Sequence, residues 1–177
     1  MNARKSLAAL SIATALIVSG CSTVASLGVP AARADIRNAG GALMGEALVY
    51  QRGSDLNVTL AVNGLAPGTY GTHIHMVGKC EGPKFTSAGA HWNPMGRQHG
   101  THNSMGPHSG DLPNIVVGSN GRGTVNFTIP AQSYTGQGGI IDDDGGAIVV
   151  HAGPDDYKTD PSGNSGDRIA CGVFRQI

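Results

Sequence analysis

Alternation of apolar and polar residues in short segments is the feature that most constrains how this 177-residue chain can fold. Between residues 56 and 63, Leu, Val, Leu and Val alternate with Asn, Thr, Ala and Asn, the period-two pattern of a half-buried β-strand. The pattern returns at Val125, Phe127 and Ile129, after an Asn-Gly turn. Glycine and proline are abundant, and no amphipathic helical stretch of useful length follows residue 20. The chain is therefore predicted to be all-β, an antiparallel sandwich or barrel. Other strand candidates are residues 45–51, 70–76, 115–117, 147–151 and 168–174.

The first 20 residues are predicted to be an export signal rather than part of the fold. Arg4 and Lys5 precede an apolar run at 7–18, which is too short for a membrane-spanning helix. The stretch ends in Val-Ser-Gly-Cys, which resembles a bacterial lipobox and would make Cys21 the lipidated first residue of the mature protein. The alternative is an ordinary signal peptide cut elsewhere, with loss of Cys21.

The rest of the chain is predicted to be a linker followed by one domain. Residues 21–38 are expected to form a flexible tether, and residues 39–177 are enough for a domain with its own core. If Cys21 carries a lipid, Cys80 and Cys171 remain as an even pair in an exported protein, where disulfides persist. Two free buried cysteines are the alternative. One lipid would tether the protein to a membrane, with the protein facing the periplasm. The serine after Cys21 favours the outer membrane as that membrane.

Charge gives no sign of a nucleic-acid partner. The chain has 12 basic and 12 acidic side chains, and aromatic residues make up only 5% of it. Nucleic-acid-binding proteins typically show a basic patch or stripe, and no basic run occurs here.

Six of the seven histidines form a metal-ligand pattern with one aspartate. These residues are His73, His75, His91, His99, His108, Asp111 and His151. The first two are two positions apart on a predicted strand, so both side chains can reach one ion. The three middle histidines and the aspartate lie in residues 77–113, one of two long irregular segments with residues 152–167, and loops of this length are usually functional. Three imidazoles and a carboxylate form a closed tetrahedral set, which is typical of structural zinc.

These motifs resemble those of the bacterial, periplasmic-type copper–zinc superoxide dismutases in lipoprotein form. The match runs from about Gly41 to the C-terminus. It rests on His73-Ile-His75, Gly-Ala-His91 with His99, His108-Ser-Gly-Asp111, Val150-His151 and Arg168-Ile-Ala-Cys171-Gly. The chain departs at Ala90, where family members often carry a second glycine. The resemblance implies a Greek-key β-sandwich or flattened barrel of about eight antiparallel strands with two long functional loops.

The resemblance also implies a site for two metals. Copper would be bound by His73, His75, His91 and His151, and zinc by His91, His99, His108 and Asp111. His91 would bridge the metals, because only an imidazole ring offers a nitrogen to each. Asp155 would hydrogen-bond and orient one ligand of each metal, and Arg168 would meet the substrate anion. A turn acid and a surface arginine are the respective alternatives.

The implied activity is dismutation of superoxide to oxygen and hydrogen peroxide in the bacterial envelope, with copper cycling between two oxidation states. A non-catalytic protein that buffers copper or zinc with the same ligands is the alternative. A zinc hydrolase ranks below it, because the predicted zinc set leaves no open position. Lys79 and Lys84 would either steer an anion or add only solubility, and His102 matches no ligand position. Whether the domain forms a homodimer stays open.

Overall fold

The computed structural model describes residues 28–130, 132 and 134–177, and its regular structure is β apart from one 3-10 helix at Thr86–Ala88. The strands are β1 (Ala32–Asn38), β2 (Leu43–Arg52), β3 (Asp55–Asn63), β4 (Gly68–Tyr70), β5 (Thr72–His75), β6 (Ile115–Val117), β7 (Arg122–Ile129), β8 (Ala147–His151), β9 (Arg168–Val173) and β10 (Arg175–Gln176). Over these residues no helix has the length and apolar character needed to cross a membrane. The predicted signal peptide at 1–20 and the predicted lipid site Cys21 lie outside the described residues.

Eight of the strands form one antiparallel sheet. Its order is β5-β8-β9-β1-β2-β3-β7, and β10 also pairs with β1. Strands β4 and β6 form a separate two-stranded sheet. Neighbours in the large sheet are often distant in sequence, since β1 lies between β9 and β2, and β3 pairs with β7. Such crossovers are typical of Greek-key folds, and the predicted all-β class is confirmed.

The core lies on the apolar face of the alternating strands. Along β3, Leu56, Val58, Leu60 and Val62 are all at most 3% exposed, while the residues between them are partly exposed. Each such side chain contributes about 1.5–3 kcal/mol on burial. Because a register slip of one residue would turn this whole set toward solvent, the alternation fixes how β3 pairs with its neighbours.

The prediction of a flexible tether at 21–38 is wrong for residues 32–38. These residues form β1, which pairs with β2 on one side and with β9 and β10 on the other. Ala32, Ala34 and Ile36 are at most 1% exposed. The period-two pattern is present in this segment, but two of its three buried positions are alanines. An alanine-rich segment resembles a linker in composition. Pairing with distant strands, rather than local propensity, makes this segment a strand.

The single strand predicted at 70–76 is two strands that belong to different sheets. The break is at Gly71, whose N–H donates to Gly153 O (2.8 Å) and whose carbonyl accepts from His151 N (2.9 Å). A Cβ at Gly71 would lie 2.8 Å from the Ser165 side chain, so no larger residue fits. The chain therefore changes partners here, and β5 runs beside β8.

A disulfide joins Cys80 to Cys171, which confirms the predicted pair. Their Cα atoms are 5.6 Å apart, and the two residues are 91 positions apart in sequence. The bond packs with Phe85 and Ala88 in a small apolar cluster and attaches the first long loop to β9.

Candidate metal centre

Three of the predicted ligands come from two neighbouring strands. His73 and His75 lie on β5, and His151 is the last residue of β8, which pairs with β5. All three are at most 3% exposed. Between the first two, Ile74 is fully buried in the core, as the period-two geometry requires.

The histidine-rich loop lies along the free edge of β5. Ile74 N–H donates to Gly110 O (2.8 Å), and Trp92 N–H donates to Ile74 O (2.7 Å). These contacts place His91 opposite His75, and Asp111 opposite His73, in isolated β-bridges. Ligands that are distant in sequence thus meet at one strand.

The first ligand group consists of His73, His75, His91 and His151. One potential ligand atom of each lies within 4.8 Å of those of the other three, and all four side chains are buried. Each ring also has one buried nitrogen with no hydrogen-bond partner among the described residues: Nδ1 of His73 and Nε2 of the other three. A buried polar atom without a partner lowers stability by about 1–3 kcal/mol, and a bound ligand at these four nitrogens would remove that cost.

The other nitrogen of three of these rings is held by an acceptor. His75 Nδ1–H donates to Gly89 O (2.9 Å), and His151 Nδ1–H donates to Gly166 O (3.1 Å). His73 Nε2–H donates to Asp155 Oδ2 (2.8 Å). Because a neutral ring has one N–H, each unpartnered nitrogen carries a lone pair, the form that binds a metal. An all-imidazole set of this kind suits copper.

Burial keeps these rings uncharged. It lowers the pKa of His73 to about 3, of His75 to about 2 and of His151 to about 4, and it also lowers the pKa of His91. Protons therefore do not compete for the lone pairs near neutral pH.

The second ligand group surrounds one carboxylate oxygen. Asp111 Oδ1 lies 2.9 Å from His91 Nδ1, 3.0 Å from His99 Nδ1 and 3.2 Å from His108 Nδ1. This oxygen has only two lone pairs for three nitrogens. Ligands of tetrahedral zinc at about 2.0–2.1 Å are separated by roughly 3.3 Å, close to the distances found here. The residues therefore fit zinc.

His73 approaches this second group as well. The residues whose ligand atoms all lie within 4.8 Å of one another are His73, His91, His99 and Asp111, so His108 is the predicted zinc ligand outside that set. His108 is nevertheless the better fourth ligand, because its Nδ1 contacts Asp111 Oδ1. His73 Nε2 is bonded to Asp155, which leaves the unpartnered Nδ1 as the nitrogen that can bind a metal. His102 is exposed beside Tyr157 and lies in neither group.

Asp155 connects the two ligand groups. Its Oδ2 accepts from His73, and its Oδ1 lies 3.0 Å from His99 Nε2. These hydrogen bonds outweigh burial and hold the pKa of Asp155 below its usual range. Burial also disfavours a charged His99, but its contacts with Asp111 and Asp155 prevail and raise the pKa of His99 to about 9.

Gly163 leaves the space that the Asp155 carboxylate occupies. This glycine was not identified from the sequence. Its φ is +64°, and a Cβ there would overlap Asp155 Oδ1 and lie 2.6 Å from His99 Nε2. No local motif marks it, because the contact depends on how the second long loop packs on the first.

Arg168 lies at the rim of the first ligand group in a fixed orientation. Its Nη1 donates to Phe85 O and its Nη2 to Gly89 O, both at 2.8 Å. Gly89 O is also the acceptor for His75, so one carbonyl joins the guanidinium to a ring of the group. Burial lowers the pKa of Arg168 from its very high ordinary value.

Residues 43–174 match the family described as copper/zinc superoxide dismutase (SODC). The chain belongs to this family. It is 42% identical over 147 residues to superoxide dismutase (Cu-Zn) 2 of Aquifex aeolicus, covering 81% of this chain and 86% of the relative. It is 39% identical over 181 residues to superoxide dismutase (Cu-Zn) of Deinococcus radiodurans, covering 94% of each. The crystal structure of a superoxide dismutase-like protein from Bacillus subtilis, 39% identical, superposes with a TM-score of 0.75 over 80% of this chain and 96% of that one.

The predicted family, fold and activity are thereby confirmed. This dismutase is an enzyme that converts superoxide to oxygen and hydrogen peroxide, and its cofactors are copper and zinc.

Proposed function

We propose that His91 would serve as a ligand to both metals of this dismutase. Copper would be held by His73, His75, His91 and His151, and zinc by His91, His99, His108 and Asp111. One observation carries the proposal: the two nitrogens of His91 face different groups. Nδ1 lies 2.9 Å from Asp111 Oδ1, while the buried Nε2 has no hydrogen-bond partner among the described residues and is free to serve the first ligand group, to which His91 also belongs.

The residues around these groups have separate tasks in dismutation, which takes two superoxide anions and two protons to oxygen and hydrogen peroxide. Copper supplies one-electron redox chemistry, and zinc, which has none, supplies charge and order in the loop. His91 would hold one of the two protons at Nε2 and pass it to the reduced oxygen species, and the other proton would come from solvent. Arg168, held by two carbonyls, attracts and orients the anion with a charge that does not titrate near neutrality.

The test combines metal analysis with superoxide consumption by the purified protein. We expect one copper and one zinc per chain. The electron paramagnetic resonance signal of copper should change in His91→Ala. Arg168→Ala should lower kcat/KM about ten- to a hundredfold, the cost of losing a charge-assisted hydrogen bond. The control Arg122→Ala alters an exposed arginine on β7 and should have no effect. Tight metal binding without superoxide consumption would instead favour a metal-buffering protein, and wild-type activity in Arg168→Ala would remove that residue from the mechanism.

We propose further that the dismutase is a lipoprotein of the bacterial envelope, attached through Cys21 to the outer membrane and facing the periplasm. The basic start, the apolar run and the Val-Ser-Gly-Cys motif support this, as does the Cys80–Cys171 disulfide, which is stable in an oxidising compartment. Mass spectrometry of the membrane fraction should find fatty acids on the mature N-terminal residue of the wild type. Release of Cys21→Ser into the soluble fraction is expected, and an unmodified wild-type N-terminus downstream of Cys21 would contradict the proposal.

A further inference from the structure

We infer that Asn114 is a positioning residue that holds Asp155 where its carboxylate can link the two metal groups. The inference rests on the ligand assignment proposed above. Asn114 follows the histidine-rich loop directly, and its side chain makes no hydrogen bond to any proposed ligand among the described residues. Its side-chain hydrogen bonds are with the second long loop.

The side chain of Asn114 pairs with the backbone of Asp155 in both directions. Asp155 N–H donates to Asn114 Oδ1 (2.8 Å), and Asn114 Nδ2 donates to Asp155 O (2.9 Å). An amide supplies the donor and the acceptor that this arrangement needs. Leucine has a similar shape but neither group, and aspartate would bring an acceptor against a carbonyl.

Tyr157 completes a ring of hydrogen bonds around the same carboxylate. Asn114 N–H donates to the Tyr157 hydroxyl (2.8 Å), and Tyr157 N–H donates to Asp155 Oδ1 (2.7 Å). Tyr157 has a φ of +62°, in the left-handed region that a bulky residue rarely adopts. Such a conformation persists only where surrounding contacts impose it.

Asn114 can act as an anchor because its neighbours are fixed to the sheets. Thr72 Oγ1, on β5, donates to Pro113 O (2.7 Å), and Ile115, the first residue of β6, is fully buried. The contact of β5 with Pro113 therefore fixes the backbone next to Asn114, and Asn114 in turn fixes the backbone of Asp155. Because β5 also carries His73, the same strand sets both partners of the His73–Asp155 hydrogen bond.

The experiment measures zinc dissociation into a chromophoric chelator from the mature, copper- and zinc-loaded enzyme. Asn114→Leu should raise the rate on the order of tenfold, the effect of losing two ordinary hydrogen bonds. Asp155→Asn should raise it further. The double variant should be no faster than Asp155→Asn alone, since Asn114 acts through Asp155. The visible spectrum of copper should also shift in Asn114→Leu, because Asp155 orients His73.

The control is Asn103→Leu, which removes hydrogen bonds to Gln98 and Met105 within the same histidine-rich loop. If it speeds zinc release as much as Asn114→Leu does, or if the effects at 114 and 155 multiply, Asn114 does not position Asp155. If Asp155→Asn leaves zinc release unchanged, the proposed linkage of the metal groups fails instead. Should Asn114→Leu not fold, Tyr157→Phe, which removes the hydroxyl that Asn114 N–H contacts, takes its place in the cycle.

Discussion

The metal-free dismutase should lose stability as the pH falls from 7.5 to 5.5, because its ligand histidines are buried uncharged. The pKa values of His73, His75 and His151 are lowered to about 3, 2 and 4, whereas all three rings take up protons near pH 6.5 in the unfolded chain. Protons therefore bind the unfolded state preferentially below pH 6.5. Stability is present above that pH and decreases as the pH falls.

The magnitude follows from these values and from one opposing group. Between pH 7.5 and 5.5 each of these three histidines removes roughly 1 kcal/mol of stability, and His91, whose pKa is also lowered, acts in the same direction. His99, with its pKa raised to about 9, contributes stability that is complete below pH 6.5 and is lost as the pH rises through 9. As the pH falls from 7.5 to 5.5, His99 adds back a similar amount of stability, which leaves a net loss of roughly 2–3 kcal/mol. Since a domain of this size has a free energy of unfolding of about 5–15 kcal/mol, the effect is large.

The assay is urea unfolding of the chelator-treated, disulfide-bonded protein at both pH values. In His75→Gln the difference in the free energy of unfolding between the two pH values should shrink by roughly 1 kcal/mol, since one histidine with a lowered pKa is gone. His102→Gln, which alters an exposed histidine, should leave the difference unchanged. Equal stability at both pH values, or greater stability at pH 5.5, would refute the claim that the rings of the first ligand group are uncharged in the metal-free protein.

Three further predictions concern the disulfide, the loop packing and the zinc group. Cys171→Ser should lower the free energy of unfolding by about 4–5 kcal/mol in chemical denaturation, because the bond closes a loop of 91 residues; a loss below about 1 kcal/mol would contradict this. Gly163→Ala should displace Asp155 and speed zinc release, whereas Gly136→Ala, also at positive φ but with open space around it, should not; equal rates would contradict the packing argument. Zinc binding to the metal-free protein at pH 7.5 should release at least one proton, since His99 is then charged, and calorimetry in buffers of different ionisation enthalpy measures this; heats independent of the buffer would oppose it.

Parts of the fold and the site could be predicted because their signals are local. The spacing of His73 and His75 puts both on one face of a strand, and the structure places them in one ligand group. The alternation in β3 specifies its buried face in the same way. In each case the signal depends on strand geometry, which acts over two residues.

Other parts could not be predicted because they depend on partners distant in sequence. Ala32 and Ala34 become strand residues only because β2 pairs with both of them and β10 pairs with Ala32. Gly163 matters only because Asp155 fills the space beside it. Asn114 matters only because it is hydrogen-bonded to Asp155, which lies 41 residues further along the chain.

The two long loops differ in what holds them, and this sets the order in which the site should loosen when metal is lost. The histidine-rich loop is bonded to the edge of β5 through backbone groups of Ile74, Trp92 and Gly110, which need no metal. The second loop is bonded to the sheet at Gly153 through backbone groups, but at Asp155 it is held by side chains: the carboxylate contacts the rings of His73 and His99, and Asn114 pairs with the backbone. If metals hold those rings in the loaded enzyme as proposed, their loss weakens the carboxylate contacts and leaves the backbone bonds of the first loop intact. Backbone amides next to Asp155 should therefore exchange with solvent sooner than those of Ile74 and Trp92 when the metals are removed.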